Sequence, residues 1–264
     1  MTHDGFLQAI IETPDDDTPR LVYADWLEEN GQPRRSEFIR VQIELARLLE
    51  DDPRRKGLEA RERALLRKHE KEGAGPILPL LLQDEAIRVE VRARRKWRFR
   101  KGFIEEVALD ADTFPANAPL LFARAPVRDV WMPYTNDADH TMLAASPYLR
   151  RLRTLDLSPG FFGEDLALLL GSPNLAGLAT LRLRPSEDNS HVGFDALSAL
   201  ANNAHLACLY DLDLGHNIEW SGDEAVAVLG QARWLAGLRR LCLRGVDLTD
   251  DGLTVLAALP ALDR

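Results

Sequence analysis

The sequence predicts an α/β fold: a curved solenoid with a parallel sheet inside and helices outside, preceded by a small helical N-terminal domain. Three observations predict it. A leucine motif recurs through the C-terminal half, helical patterns separate its copies, and three short amphipathic segments fill the first 50 residues. A chain of 264 residues with 45% hydrophobic content can bury the core that such a fold needs.

The motif Leu-x-x-Leu-x-Leu occurs four times, and its middle leucines are separated by 26, 31 and 29 residues. One strand, one helix and two connections occupy an interval of that length. Two weaker copies with the same offsets lie upstream and extend the array to six. In chain order the copies are Ile104/Val107/Leu109, Val127/Val130/Met132, Leu152/Leu155/Leu157, Leu178/Leu181/Leu183, Leu209/Leu212/Leu214 and Leu238/Leu241/Leu243.

Helical patterns lie between the motifs. Apolar residues spaced by three and four place one stripe on each helix, as at Phe194, Leu197 and Leu200. A single strand and helix cannot bury this stripe, so the units must stack on their neighbours. Helices are wider than the spacing of about 4.8 Å between strands, and the stack therefore curves with the sheet on its inner surface.

This pattern resembles the long leucine-rich repeats of the ribonuclease-inhibitor type. The segment from Leu238 to Leu259 matches it best, since Leu248, Gly252, Leu253, Leu256 and Leu259 fall where that family has them. The family also places an asparagine three residues after the last strand leucine, where its side chain bonds the turning backbone. Asn217 alone occupies that place, because Gly160, Ser186 and Val246 replace it elsewhere, so we expect irregular loops.

The first 50 residues predict three short helices around one small core. Asp4 can cap the first helix, and Thr18 followed by Pro19 can begin the second, which Asn30-Gly31 can end. Ser36 can cap the third, whose apolar residues recur at helical spacing.

Residues 6–48 resemble the repeat-companion domain that precedes leucine-rich repeats in many bacterial proteins. The segments that carry the resemblance are Leu-Val-Tyr-Ala-Asp-Trp-Leu-Glu-Glu at 21–29 and Glu-Phe-Ile-Arg at 37–40. The resemblance implies this architecture, and it implies no enzymatic activity and no catalytic residues.

These observations predict three parts of the chain. Residues 1–50 form the helical repeat-companion domain, and residues 51–86 form a charged helical linker that Gly73-Ala74-Gly75-Pro76 interrupts. Residues 87–264 form the leucine-rich-repeat solenoid. The alternating apolar and basic residues from Arg88 to Phe103 predict capping strands at its open end.

Charge and cysteine content exclude several partners. The formal net charge is −9, and residues 102–264 hold 22 Asp and Glu against 12 Lys and Arg, so nucleic-acid phosphate is repelled overall. The two cysteines form no disulfide framework, which favours a reducing compartment. The N-terminus carries no basic, apolar leader, and no apolar run approaches the roughly 20 residues of a membrane span. We therefore expect a cytoplasmic protein without a membrane or cofactor partner.

Three clusters could carry chemistry, and a structural role is favoured for each. Acidic groups at Asp15-Asp16-Asp17 and at Asp25, Glu28 and Glu29 could hold a cation or act as acid and base, but such residues also cap or solvate helices. His205, Cys208 and His216 lack zinc-ligand spacing. A basic and aromatic stretch could touch nucleic acid or form the wet side of a strand; its members are Arg88, Arg92, Arg94, Arg95, Lys96, Trp97, Arg98, Phe99, Arg100 and Lys101.

The candidate binding surface is the inner face of the sheet. Alternation within a strand turns the leucines towards the helices and the intervening residues towards this face. A plain solvated sheet is the alternative, but an open parallel sheet is unusual, which favours a protein or peptide partner. The candidate contact residues are Asp129, Trp131, Asp156, Arg182, Arg184, Asp211, Asp213, Arg240 and Arg244.

The sequence thus predicts a non-catalytic protein-interaction module. One alternative is an adaptor whose N-terminal helices recognise the partner while the repeats act as a spacer. The least supported alternative is a hydrolase that uses the N-terminal carboxylates Asp25 and Glu28.

Overall fold

The structure, a computed structural model, describes residues 2–74, 77, 96–133, 135, 137–160, 162–163, 165–186, 191–217 and 221–258. It is a mixed α/β protein with mostly parallel strand pairing. The helices within these residues are α1 (His3–Glu12), α2 (Thr18–Glu29), α3 (Pro33–Arg47), α4 (Arg55–Ala74), α5 (Phe114–Arg124), α6 (Asp137–Ala145), α7 (Leu166–Leu170), α8 (Phe194–Asn202), α9 (Gly222–Leu229) and α10 (Asp250–Ala257). The strands are β1 (Trp97–Arg100), β2 (Phe103–Ala108), β3 (Asp129–Trp131), β4 (Thr154–Asp156), β5 (Thr180–Arg182), β6 (Asp211–Asp213) and β7 (Arg240–Cys242).

The chain forms two compact units. Unit 1 comprises Met1–Val107 and Asn117–Val127, and unit 2 comprises Ala108–Ala116 and Arg128–Arg264. The domain boundaries predicted from the sequence, after residues 50 and 86, stay predictions. The second of them lies outside the described residues.

Three helices open unit 1 where the sequence predicts them, but two of the predicted caps are wrong. The Thr2 hydroxyl accepts the Gly5 N–H and caps α1, so Asp4 lies inside the first turn. Helix α3 begins at Pro33, whose fixed φ suits a first helical position, and Ser36 is a buried residue one turn inside it.

The core of unit 1 joins these helices to a β-hairpin. Phe6, Tyr23, Leu27, Ile39 and Phe103 belong to one buried cluster. The hairpin pairs β1 with β2 antiparallel. The predicted capping strands from Arg88 to Phe103 thus include β1, but the second strand of the hairpin is the segment that the sequence assigned to the first motif copy, and residues 88–95 lie outside the described residues. Helix α4, predicted as a charged linker helix, packs on α3.

The turn of the hairpin is fixed by side chains from the helices. Gly102 N–H donates to Gln42 Oε1 at 2.7 Å, and Gly102 O accepts from Arg35 Nη2 at 2.5 Å. Lys101 O accepts from Arg20 Nη1 at 3.2 Å. Gly102 has a φ of +87°, which glycine adopts readily. The turn can therefore adopt the backbone conformation to which the helix side chains bind.

Unit 2 contains five parallel strands in chain order, β3 to β7, and each pairs with the next. The register places Val130, Leu155, Leu181, Leu212 and Leu241 opposite one another, as the motif predicts. The motif leucines of β4, β5 and β6 are all buried, whereas those of β7 are partly exposed. The predicted alternation of strand and helix is therefore confirmed as a parallel sheet with one helix between successive strands.

Polar side chains that follow the helices form hydrogen bonds between neighbouring strand-helix repeats. Asn203 Nδ2 donates to Leu170 O at 2.8 Å and to Ser172 O at 3.1 Å, and Ser172 Oγ donates to Ala144 O at 2.7 Å. These acceptors include carbonyls at the C-terminal ends of α6 and α7, which have no partner within their own helix. Ser172 thus caps α6 and Asn203 caps α7, in each case the helix of the preceding repeat.

Asn217 fills the position that the sequence singles out. Its Nδ2 donates to Leu183 O at 3.2 Å and to Leu214 O at 2.7 Å, and its Oδ1 accepts the Val192 N–H at 2.8 Å. The side chain is fully buried, so the amide links three backbone segments across two repeats. Across the described part of the chain, no helix has the length and apolarity that a membrane crossing requires.

Candidate functional site

The five parallel strands align the predicted contact residues on one side of the sheet. Thr154, Thr180, Asp211 and Arg240 lie opposite one another in the register, and Asp129 begins this first row. The second row runs Trp131, Asp156, Arg182, Asp213 and Cys242. Together with the residues two positions after each strand (Pro133, Ser158, Arg184, Gly215 and Arg244), these rows are called the strand face.

The end of the strand face at β3 and β4 is buried. Trp131 lies almost fully covered, and its Nε1 donates to Ser158 O at 2.5 Å. Asp156 is buried as well, and its Oδ1 accepts the Ser158 N–H at 3.0 Å. Asp129 is also buried. These three predicted contact residues are therefore covered side chains rather than the open surface that the sequence predicts.

The other end of the strand face carries arginines paired with aspartates of the neighbouring strand. Arg182 Nη1 lies 3.7 Å from Asp156 Oδ2, and Arg240 Nε lies 3.9 Å from Asp211 Oδ1. Arg184 Nε lies 3.5 Å from Asp213 Oδ2. Each pair crosses from one repeat to the next, so the parallel register itself creates them.

Backbone donors fix the carboxylates of this face. Asp213 Oδ1 accepts the Gly215 N–H at 3.0 Å, the same two-residue loop that Asp156 makes with Ser158. Ser158 Oγ in turn accepts the Arg184 N–H at 2.9 Å. Asp156 and Asp213, the last residues of β4 and β6, therefore each accept a backbone N–H from the turn that follows their own strand.

Two further exposed arginines flank the face. Arg153 and Arg239 occupy the first variable position of their motif copies, directly before β4 and β7. The backbone N–H groups of Arg239 and Arg240 both donate to Tyr210 O, which places Tyr210 beside them. Sequence reasoning missed this position because alternation applies within a strand and not to the residue before it. The signal that could have found it is an arginine at the same place in three copies, Arg128, Arg153 and Arg239.

The N-terminal acidic groups are held by nearby donors. Asp16 Oδ1 accepts the Thr18 N–H at 2.8 Å, which lowers the pKa of Asp16. Asp17 lies 2.8 Å from Lys101 Nζ and 2.7 Å from Arg47 Nη2. Burial raises the pKa of Asp17, but the bonds and charges of Lys101 and Arg47 outweigh it, and the pKa is lowered. These contacts are those of a structural ion-pair network.

The second acidic group lies on the surface of α2. Asp25 and Glu28 share Arg40 of α3, and Ser36 Oγ donates to Glu28 Oε2 at 3.5 Å. Both carboxylates are exposed. The structure brings them together as a bridge between two helices.

A buried ion pair lies deeper in unit 1. Arg20 Nη2 is 2.7 Å from Glu105 Oε1, and Arg20 is fully buried. Burial raises the pKa of Glu105, and the charges of Arg20 and its neighbours oppose that rise. Arg20 also donates to Pro14 O and to Lys101 O. The pair therefore joins the start of α2 to the hairpin.

The basic and aromatic stretch is described only from Lys96 onwards. Arg98 and Arg100 both pair with Glu106 across the hairpin, and Lys101 pairs with Asp17. Phe99 packs edge-on against Phe38. The described part of the stretch is thus engaged within unit 1.

The predicted zinc candidates do not assemble. His205 and Cys208 are exposed in the connection before β6, and His216 follows that strand. Both cysteines are free thiols. Among the residues whose placement is described, no three His, Cys, Asp or Glu side chains are grouped so as to hold a metal ion.

Comparison of the chain with protein-family models, with curated proteins and with solved structures gave no match.

Proposed function

We propose that the chain is a non-catalytic protein-interaction module, in which a leucine-rich-repeat solenoid of the ribonuclease-inhibitor type follows a helical repeat-companion domain. In this proposal the strand face is the concave surface of the solenoid and binds a protein or peptide in the cytoplasm. The N-terminal helices serve as a companion domain without an active site.

The observation that carries the proposal is the alignment of the strand face. One face of β4, β5 and β6 is filled by buried leucines, and the other presents polar side chains that differ from strand to strand. A parallel sheet usually has both faces covered, so the accessible arginines at the β5–β7 end of this face favour a partner. Side chains such as Arg182 and Arg184 are of the type that contributes most to interface energy.

Position-specific photo-crosslinking in the native cell tests the proposal. A benzophenone amino acid replaces Arg153 or Arg239 at the edge of the strand face, Glu224 on the outer helix α9, or Val22 on α2, all of which are exposed. We expect the same protein to be captured from Arg153 and Arg239 and not from Glu224. The captured protein is then purified, and its affinity for the unmodified chain is measured by calorimetry.

The same experiment separates the alternatives. Capture from Val22 alone would support recognition by the N-terminal helices and would contradict the proposal. A hydrolase would instead show turnover of a generic ester or peptide substrate that Asp25→Asn or Glu28→Gln abolishes. Capture from Glu224 as readily as from Arg239 would also overturn the assignment of the strand face.

A further inference from the structure

The strand face exposes its positive charges and covers its negative ones. The paired arginines Arg182, Arg184 and Arg240 have side chains 31%, 46% and 72% exposed, while their partners Asp156, Asp213 and Asp211 are 3%, 16% and 14% exposed. Arg244 is exposed and Asp129 is buried. The formal charges of these residues cancel, yet a partner approaching the sheet meets guanidinium groups first.

These arginines keep their hydrogen-bond donors available. Their ion-pair distances of 3.5 to 3.9 Å are longer than the range of about 2.7 to 3.2 Å for an N–H···O hydrogen bond. A guanidinium carries five N–H donors. Arg61 on α4 shows the contrast, because its Nε and Nη2 both donate to Glu37 at 2.6 Å. Each aspartate below the strand face thus holds an arginine in place without saturating it.

We propose that the strand face binds an acidic peptide segment of a protein partner, whose Asp and Glu carboxylates accept hydrogen bonds from Arg182, Arg184, Arg240 and Arg244. The proposal rests on the proposed function and adds the chemistry of the partner. A planar guanidinium presents two parallel donors to a carboxylate, and such charge-assisted pairs are strong and directional.

The spacing of the arginines fits a short segment. Strands β5 and β7 are two strand spacings apart, or about 10 Å. An extended peptide of about four or five residues covers this distance and brings two or three carboxylates to it.

The charge around the cluster favours a protein segment over nucleic acid. Residues 102–264 carry 22 acidic and 12 basic residues, so the arginines form a local positive site in an acidic surrounding. A nucleic acid has phosphates at every step and would run beyond the cluster onto repelling charge. A peptide with a few carboxylates has its charge only where the arginines lie.

Fluorescence anisotropy with three labelled probes tests the proposal on the full chain. The probes are a peptide of alternating Glu and Ser, its Gln and Ser counterpart, and an oligothymidylate, each about ten units long. We expect the Glu peptide to bind at least about tenfold more tightly than the Gln peptide, and to weaken several-fold as salt rises from about 50 to about 300 mM.

Variants matched in charge locate the site. Arg184→Gln/Arg244→Gln should lose most of the binding to the Glu peptide, whereas Arg150→Gln/Arg233→Gln removes the same charge from exposed residues before β4 and β7 and should retain it. Arg184→Glu/Arg244→Glu should instead bind a peptide of alternating Lys and Ser. Thermal unfolding followed by circular dichroism confirms that each variant folds.

Equal binding of the Glu and Gln peptides, or equal loss in the two double Gln variants, would overturn the proposal. Tighter binding of the oligothymidylate would show that the arginines serve nucleic acid instead. A protein crosslinked at positions 153 and 239 through a segment without acidic residues would refute the acidic partner and leave the proposed function standing. Absence of crosslinks at both positions refutes the proposed function itself.

Discussion

At the scale of single residues, Asn217 shows how one side chain joins two repeats. Its three hydrogen bonds satisfy Leu183 O, Leu214 O and Val192 N–H, all of which become unpaired and buried when the amide is removed. Asn217→Ala should therefore lower the free energy of unfolding by about 3 kcal/mol, since each buried unpaired group costs about 1 kcal/mol or more. Urea denaturation followed by circular dichroism measures the change.

Asn202 is the matched control for that prediction. It is exposed, and its Nδ2 donates to Ser198 O within its own helix. Asn202→Ala should leave the urea midpoint almost unchanged. If both alanine variants had similar midpoints, the backbone links through Asn217 would not contribute as argued.

Alanine variants of Gly102 and Gly31 distinguish the cost of backbone strain from the cost of steric crowding. Both have positive φ, +87° and +77°. A Cβ at Gly102 would lie 2.4 Å from Ile39 Cγ1 and 2.9 Å from Ile39 Cα, whereas one at Gly31 has open space. Gly31→Ala should cost about 1 kcal/mol, the usual cost of a left-handed residue with a side chain.

Gly102→Ala should cost at least about 3 kcal/mol, because overpacking against α3 adds to the same strain. Chemical denaturation of the two variants in parallel measures both values. Equal losses would show that α3 yields to the added methyl group and that the contact with Ile39 is not tight.

Trp131 marks what residue-level reasoning predicted and what it could not. Alternation placed Trp131 on the strand face, and the register agrees. The burial of Trp131 depends on Ser158, whose carbonyl oxygen accepts the indole N–H. Ser158 lies 27 residues further along the chain. Period-two patterns give the side of a sheet on which a residue lies, but burial follows from the neighbouring strand.

At the scale of elements, strands were easier to predict than helix starts. Each strand from β2 to β7 coincides with a copy of the motif, because the motif and the pleat share a period. Helix α3 begins one turn before the expected cap at Ser36, since Pro33 supplies the geometry of a first turn while Ser36 Oγ accepts from Arg40 Nε. Several residue types can begin a helix, so the choice depends on the surrounding chain.

The sequence could not predict the hydrogen bonds by which the helices fix the β1–β2 turn. Arg20 and Gln42 reach Lys101 and Gly102 over 81 and 60 residues of chain. Each of these contacts is made by a single side chain, so no repeating pattern in the sequence indicates it. The N-terminal helices therefore have a structural task in this chain, which is to fix the hairpin.

The ion pairs of Asp17 make the contact between the N-terminal helices and the β1–β2 turn sensitive to acid. Its pKa is lowered in the folded chain by Lys101 and Arg47 against the effect of burial, so the carboxylate stabilises the fold above its ordinary pKa, near about 4, and the contribution disappears as the pH falls through the folded pKa. Asp17→Asn should lower the free energy of unfolding by about 1 kcal/mol at neutral pH. The two proteins should converge as the pH falls through the lowered pKa of Asp17 in the folded chain, which urea denaturation at several pH values measures.

Glu29→Gln is the control for Asp17→Asn. It removes one carboxylate from the exposed end of the same helix α2. Its stability should follow that of the wild type across the pH range. A constant deficit of Asp17→Asn at every pH would mean that lost packing, and not the ion pairs, explains its effect.

At the scale of the whole molecule, the described repeats depend on their neighbours. Each strand of unit 2 bonds to the next one, and polar side chains behind the helices do the same. Stability in such an array is a sum of repeat and interface contributions. The sequence contained this arrangement in its leucine spacing, but the spacing does not tell how well each repeat is covered.

The amide N–H after each strand provides an internal comparison of the repeats. Leu157 donates to Arg182 O, Leu183 to Asp213 O and Leu214 to Cys242 O, at 2.8 to 3.0 Å. The three bonds are equivalent in geometry, but the third is made to β7, whose leucines are only partly buried. Local opening follows the burial of apolar contacts, so the bond to β7 opens most easily.

Hydrogen exchange followed by nuclear magnetic resonance should therefore show the Leu214 amide exchanging at least about tenfold faster than those of Leu157 and Leu183. Leu241→Ala, which removes the central leucine of β7, should speed exchange at Leu214 further and leave Leu157 unchanged. Acceleration at all three amides together would show that the sheet opens as one cooperative block. A gradient confined to Leu214 would instead mean that a partner bound across β5 to β7 stabilises the molecule most at β7.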